Sequence, residues 1–305
     1  MTVSRPSASA ATARELRAAL RAPGLTRAMG AHSPLSALLA EEAGFDVIWS
    51  SGLEISATAG VPDANILAMP DCLEAAAALA NAVERPVLAD CDSGFGNVNN
   101  VIHMVRAYEA RGIAGVCIED KQFPKLNSFV EGNQDLAPLD DFAAKIRAAT
   151  EVREELVVVA RLEALIAGLG MDEALRRAEV YERAGADALL IHSKRTDPDE
   201  VFAFREAYTG DLPVIVVPTT YNQVTVGELQ ERGFAMAIYA NQALRSSLRA
   251  MRETLIRIMQ DGTTHHVEHE LASLKEIFDL QRVPQMLERQ AHYEALGREL
   301  AEAGR

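Results

Sequence analysis

The segment Glu119-Asp120-Lys121-Gln122-Phe123-Pro124-Lys125-Leu126-Asn127-Ser128 follows directly on the apolar run 114–118. It sets carboxylates, a cation and a polar tip at the end of a buried strand, which is where α/β proteins place their chemistry. A second cluster, Asp90-Cys91-Asp92-Ser93-Gly94-Phe95-Gly96-Asn97, ends the apolar run 86–89 in the same way. Arg161, Glu163 and His192 close two later runs, and Asp63 lies on the long loop after the second run. Asp63, Asp90, Asp92, Glu119 and Glu163 make five carboxylates for one mouth. Two like charges about 4 Å apart repel by roughly 4 kcal/mol at an effective dielectric of 20, so the set needs compensation. Mg²⁺ or Mn²⁺ suits all-oxygen donors, with Asp90 a direct ligand and Asp92 and Glu119 holding its waters. Zinc does not suit them: paired-Cys and His-x-x-x-His spacings are missing, and His265, His266 and His269 fall in a polar turn that reads as a solvated patch. Any one of these acids could simply cap a helix or pair with an Arg. Their recurrence at successive strand ends, with Arg161 and His192, favours a working site.

The elements that must position this set are short runs rich in Val, Ile and Leu, alternating with amphipathic segments. Eight such runs are legible, at 25–30, 46–49, 86–89, 114–118, 156–162, 188–192, 213–218 and 236–239. Helical candidates between them include 34–42, 72–82, 101–111, 172–184 and 224–231, several stopping at a glycine such as Gly112, Gly185 or Gly233. Eight alternating units predict an α/β protein, one (β/α)₈ barrel. An open doubly wound sheet would show a glycine-rich phosphate turn after its first strand, and Gly30-Ala31-His32-Ser33 is not one. The whole chain, 1–305, is expected to be this single barrel domain, with 1–11 disordered and 241–305 a helical extension. That extension reads as helices at 241–259, 271–281 and 284–302, too amphipathic to stay in water, so it should pack on its own barrel or a neighbour's.

Composition narrows the partners. A formal net charge of −14 and the lack of a long Lys/Arg run argue against nucleic acid, while local cations and a metal still allow a small anionic substrate. Cys72, Cys91 and Cys117 are odd in number and sit in or beside apolar runs, which suits reduced thiols in the cytoplasm. No stretch reaches the roughly 18 apolar residues of a membrane span, and the first residues lack a signal-type apolar core.

From about Gly30 to Gln281 the chain resembles the phosphoenolpyruvate mutase and isocitrate lyase superfamily. The likeness is carried by Trp49-Ser50-Ser51-Gly52-Leu53, Val61-Pro62-Asp63, the Asp90 to Asn97 cluster, Arg161-Leu162-Glu163-Ala164 and Ile191-His192-Ser193-Lys194. Glu119-Asp120-Lys121 with Asn127-Ser128 is similar to the signature of the mutase branch, whereas the lyase branch has a Lys-x-Cys-Gly-His loop there. The resemblance implies Mg²⁺, a substrate carboxylate held by Ser51 and the backbone of Gly52 and Leu53, and phosphoryl oxygens gripped by Arg161 and His192. Glu163 and Ser193 belong to the implied substrate shell, and Asp63, Lys121 and Asn127 to the implied catalytic group. It further implies a last helix swapped between subunits and a homotetramer built as a dimer of dimers. The implied reaction interconverts phosphoenolpyruvate and 3-phosphonopyruvate.

A neighbouring branch, phosphonopyruvate hydrolase, differs in letting water reach the phosphorus. The segment 122–131 is expected to be the lid that decides this, and Asn127 matches the mutase pattern where the hydrolase resembles Thr. The segments 61–67 and 163–170 look at least as much like the hydrolase. Leu162 and Gln242 depart from the common family text, where Val and His stand. Two readings from other classes are a carbon–carbon lyase of 2-hydroxy diacids, which would need a lid acid that Asn127 cannot supply, and a noncatalytic metabolite-binding barrel.

Overall fold

The computed structural model describes residues 8–303. Eight parallel strands pair in chain order and close into a barrel: β1 (Thr26–Ala31), β2 (Val47–Ser50), β3 (Val87–Asp90), β4 (Gly115–Glu119), β5 (Val157–Leu162), β6 (Ala188–Ile191), β7 (Val214–Val216) and β8 (Met236–Tyr239). β8 returns to pair with β1 through Thr26 opposite Met236 and Met29 opposite Tyr239. The chain is therefore a (β/α)₈ barrel, and each strand limit falls within two residues of the sequence expectation.

The helices are α1 (Ala8–Arg21) before the barrel, α2 (Pro34–Glu42) after β1, α3 (Gly52–Thr58) and α4 (Met69–Ala82) after β2, α5 (Val98–Ala110), α6 (Leu139–Val152), α7 (Gly170–Arg183), α8 (Asp199–Ala207), α9 (Val226–Glu231) and α10 (Gln242–Asp261), each after its strand, then α11 (Leu274–Leu280) and α12 (Val283–Ala303). The chain divides into two compact units, one running to Arg245 and one from Ser246 onward. The second unit is wholly helical apart from its connections.

Strand side chains alternate between two apolar layers. Val47, Leu88, Cys117, Val157, Val159, Leu190, Ile215 and Ile238 fill the barrel interior. Val116, Val158, Ala160, Leu189 and Val216 face outward onto helix residues such as Met104, Phe142, Ala178 and Phe204. Leu16 and Leu20 of α1, one helical turn apart, join the interior layer, and a Cβ placed on Gly115 at the start of β4 would lie 2.8 Å from Leu16 Cδ2. Thus α1 closes the N-terminal floor. This corrects the expectation of disorder at 1–11: residues 8–11 are helical, and the earlier positions lie outside the described residues.

At the opposite mouth the β1 and β8 ends converge. A Cβ on Gly30 would come within 2.3 Å of the Ala240 carbonyl oxygen, so only glycine permits the approach. Nearby, fully buried Glu54 of α3 accepts from the Leu244 amide in the first turn of α10, and its Oε2 lies 3.6 Å from His32 Nδ1 with no hydrogen-bond partner. Burial pushes the Glu54 carboxyl from 4.5 up to about 7. The folded chain then binds more protons than the unfolded one between those values, so this group withdraws stability as pH rises through the window. Glu54→Gln keeps the acceptor for Leu244 and offers a donor toward His32. Its melting temperature should exceed that of the parent by a margin that opens between pH 4.5 and 7 and corresponds to at most about 3 kcal/mol above it; a pH-independent difference in thermal melts would refute the assignment.

Candidate active site

The C-terminal ends of the strands and the segment after β4 enclose a cavity of about 50 Å³. Its wall includes Ser51, Leu53, Asp63, Asp90, Glu119, Arg161 and His192, all expected from the sequence, together with Lys125, Asn127, Ser128 and Phe129 of the lid segment. Trp49, Val217, Thr219, Ala240 and Asn241 complete it and were not anticipated.

On one side the lid lysine meets the acids. Lys125 Nζ lies 2.6 Å from Asp63 Oδ1 and 2.9 Å from Asp92 Oδ1. Asn127 Nδ2 donates to Asp63 Oδ2 at 2.7 Å, and the Asn127 amide donates to the Asp63 carbonyl at 3.2 Å. Burial would raise the Asp63 carboxyl, but the Lys125 ammonium and these hydrogen bonds hold it below the ordinary range. Burial raises Asp90 despite Lys125 and Arg161, with Glu119 and Asp63 adding to the rise. Burial also lifts Asp92 to about 7, against the pull of Lys125 and with Asp90 adding to the rise.

On the other side Arg161 is set by β5 and braced from behind. Its Nε donates to Glu163 Oε1 at 2.6 Å, its Nη2 lies 2.9 Å from His192 Nδ1, and Glu119 Oε2 is 3.3 Å away. Glu163 Oε1 is also 2.8 Å from His192 Nδ1, while Oε2 accepts from Ser128 Oγ at 2.8 Å. Burial opposes ionisation of Glu163, yet Arg161, His192 and Lys121 hold its carboxyl far below the usual range. Burial lowers the His192 imidazole, which keeps the ring neutral near pH 7.

Several expected residues sit behind the wall. Lys121 is 1% exposed and donates to the Leu126 carbonyl at 2.9 Å and Ser128 Oγ at 2.6 Å, with Glu163 Oε2 at 3.4 Å. It fastens the lid from beneath, and the ammonium that faces the cavity is that of Lys125. Glu163 is fully buried and braces Arg161 and His192, so it reaches the cavity only through them. The Ser193 hydroxyl turns away to Glu200 and accepts from the Arg195 amide. Gly52 stands against Asp90, whose Oδ2 would be 3.2 Å from an added Cβ. Asp92 lies outside the wall, reaching it through Lys125.

The acidic side fits a hard divalent cation. Glu119 Oε1 is buried with no hydrogen-bond partner, and Asp92 Oδ1 has only its ion pair with Lys125. Carboxylates raised by burial and by each other mark an excess of negative charge that a cation would relieve. Among the described residues no three His, Cys, Asp or Glu side chains gather closely enough to ligate one ion.

A closed parallel barrel whose C-terminal mouth gathers acids, an Arg–His pair and a lid lysine defines an α/β-barrel enzyme. The family model described as phosphoenolpyruvate phosphomutase matches residues 16–259, and the chain belongs to that family. It is 48% identical to the phosphonopyruvate hydrolase of Variovorax sp. strain Pal2, over 91% of this chain and 97% of that protein. The solved phosphoenolpyruvate phosphomutase of Streptomyces platensis subsp. rosaceus superposes with a TM-score of 0.90 at 51% identity, covering 92% of this chain and 99% of that one. A phosphonopyruvate hydrolase solved with oxalate and Mg²⁺ gives a TM-score of 0.88 at 46% identity, with coverage of 92% and 99%.

The two lysines separate by experiment. Lys125→Met removes the cation between Asp63 and Asp92 and should cut turnover by about 10²–10³-fold, the range lost with one preorganised donor, and because it leaves two buried carboxylates without their partner it should also lower the melting temperature. Lys121→Met buries a methyl among Ser128, Leu126 and Glu163 and should lower the melting temperature too, with a smaller loss of turnover because its ammonium does not face the cavity. Equal loss of turnover in both variants would overturn the distinction.

Proposed function

We propose that the protein is a phosphoenolpyruvate mutase, moving a phosphoryl group between the enol oxygen of phosphoenolpyruvate and carbon 3 of the same molecule. The observation that carries this reading is the seated lid: Lys125, Asn127, Ser128 and Phe129 form one wall of the cavity, Asn127 is bonded to Asp63, and the Phe129 ring packs edge-on to His192 with centroids 5.7 Å apart. A shut, narrow chamber leaves the enolate as acceptor in place of water.

In this reading the Ser51 hydroxyl and the amides of Gly52 and Leu53, in the first turn of α3, take the substrate carboxylate. Arg161 and His192 hold the phosphoryl oxygens, Asn127 and Asp63 orient the migrating group, and Lys125 neutralises charge beside it. As the P–O bond breaks and the P–C bond forms, the transfer is loose and metaphosphate-like, so positioning and neutralisation are the protein's work. Mg²⁺, for which Mn²⁺ can substitute, would be held by Asp90 directly and by Asp92 and Glu119 through water, and would supply positive charge to both ends of the substrate.

The hydrolase is the second reading, favoured by the 48% identity to the Variovorax enzyme. Phosphorus NMR of the protein with 3-phosphonopyruvate and Mg²⁺ decides. Growth of a phosphoenolpyruvate signal supports the mutase, and inorganic phosphate with pyruvate makes the protein a hydrolase. Asn127→Ala, which unties the lid from Asp63, should raise the phosphate share; an unchanged product ratio removes the lid from the argument.

For assembly we propose a homotetramer, a dimer of dimers with exchanged C-terminal helices. Among the described residues α10 has no buried side chain, and its Leu248, Met251, Leu255, Ile256 and Met259 are exposed, more apolar surface than a lone helix keeps in water. Sedimentation should give a tetramer, and Leu255→Glu with Met259→Glu should shift it to smaller species; a monomeric parent chain would refute the assembly. Among the described residues no helix is long and apolar enough to cross a membrane. Three buried free cysteines suit a reducing compartment, which we take to be the cytoplasm.

A further inference from the structure

Asn65 adds a second tie between the lid backbone and Asp92, beside the ion pair that Lys125 makes. Its Nδ2 donates to Asp92 Oδ2 at 2.7 Å, and its Oδ1 accepts from the Lys125 backbone amide at 2.6 Å. Lys125 in turn brings its ammonium to Asp92 Oδ1 and to Asp63 Oδ1. One side chain thus fixes both the backbone of the lid lysine and the carboxylate that lysine must meet. The position also has a demanding backbone, with φ at +53°, a conformation that Asn tolerates better than most residues.

The chemistry at this point is specific. The side chain must donate to a carboxylate and accept from an amide at once, which Asn does. Asp would keep the acceptor but set a second carboxylate against Asp92. Ser lacks the reach for both contacts, and Gly has neither group.

We infer that Asn65 is a positioning residue that latches the lid shut at Lys125, and so sets how well the cavity is closed to water during phosphoryl transfer. The consequence for product partition rests on the proposed mutase reading; the latch itself does not.

The test uses the full-length chain and three variants. Asn65→Gly can hold the left-handed backbone while deleting both hydrogen bonds, Asn65→Ser serves if the glycine variant does not fold, and Asn65→Asp restores the acceptor for Lys125. Hydrogen exchange of the peptide covering 122–131, and tryptic cleavage after Lys125, are followed without substrate. A lost amide hydrogen bond should speed lid exchange about ten-fold in the Gly or Ser variant, and Asn65→Asp, which keeps the acceptor for Lys125 but repels Asp92, should recover at most part of the parent protection. KM for 3-phosphonopyruvate should rise with the loosening and the phosphate share of the product should grow. Lid exchange at the parent rate in the folded Gly or Ser variant overturns the latch. If the parent enzyme itself releases only phosphate, the mutase reading fails while the exchange data still decide the latch.

Discussion

The structure depends on holding too much negative charge in too little water. Asp63, Asp92 and Glu119 are almost wholly buried side chains, Asp90 is half-buried among them, and Glu163 lies fully buried behind. The barrel delivers Arg161 from β5, but Glu163 already claims its Nε, and one guanidinium cannot balance the rest. The second protein cation, Lys125, comes from the lid. Closure is therefore electrostatic as well as steric: when Lys125 withdraws, Asp63 and Asp92 lose their partner and repel Asp90 at close range. What charge remains uncompensated is the physical reason we place a divalent cation at the Asp90 side, where Glu119 keeps a buried oxygen free.

The lid is tied at two places of different character. Toward the barrel, Lys121 holds the Leu126 carbonyl and Ser128 hydroxyl, and Ser128 passes the contact on to Glu163, all in buried surroundings. Toward the rim, Asn65 and Asp63 hold the amides of Lys125 and Asn127 from a loop that is itself partly exposed. Buried hydrogen bonds near a charged group are costly to break, whereas a rim contact is readily replaced by water. Opening should thus begin at the rim, and the Lys121 anchor should act as the hinge side.

The barrel and its acids were legible because both follow from local pattern. Apolar runs of strand length recur eight times, and a carboxylate at the end of such a run has few places to point other than the mouth. The lid was not legible to the same depth. Lys121 and Lys125 lie four residues apart in a segment without periodicity, and their roles are separated by a distant antiparallel bridge pairing Lys121 with Leu136, which turns Lys121 inward beneath the chain. Glu163 was recognised, but its place behind Arg161 depends on Asp120 Oδ1 accepting its amide, a contact across more than forty residues. α1 was hidden by a Ser- and Ala-rich start, although Leu16 and Leu20 carry the one-turn spacing of a buried helical face. Asn65 had no signal at all, since its work depends on a positive φ and on partners from two other loops.

Mutase and hydrolase chemistry share the bond that breaks and differ in what takes the phosphorus. Every group that grips the substrate in our reading, from Ser51 to Arg161 and His192, sits on the rigid barrel and serves either outcome equally. Discrimination must then lie in elements that change between open and closed forms, because interactions common to both acceptors cannot favour one. Those elements are the lid residues 125–129 and the loop bearing Asp63 and Asn65, joined to each other by four hydrogen bonds or ion pairs and to the barrel wall by Asp92 and Glu163. In our reading the choice of acceptor therefore rests on the strength of that seam. For the same reason, overall identity to one relative or another weighs less on this question than the geometry of a few residues at the rim.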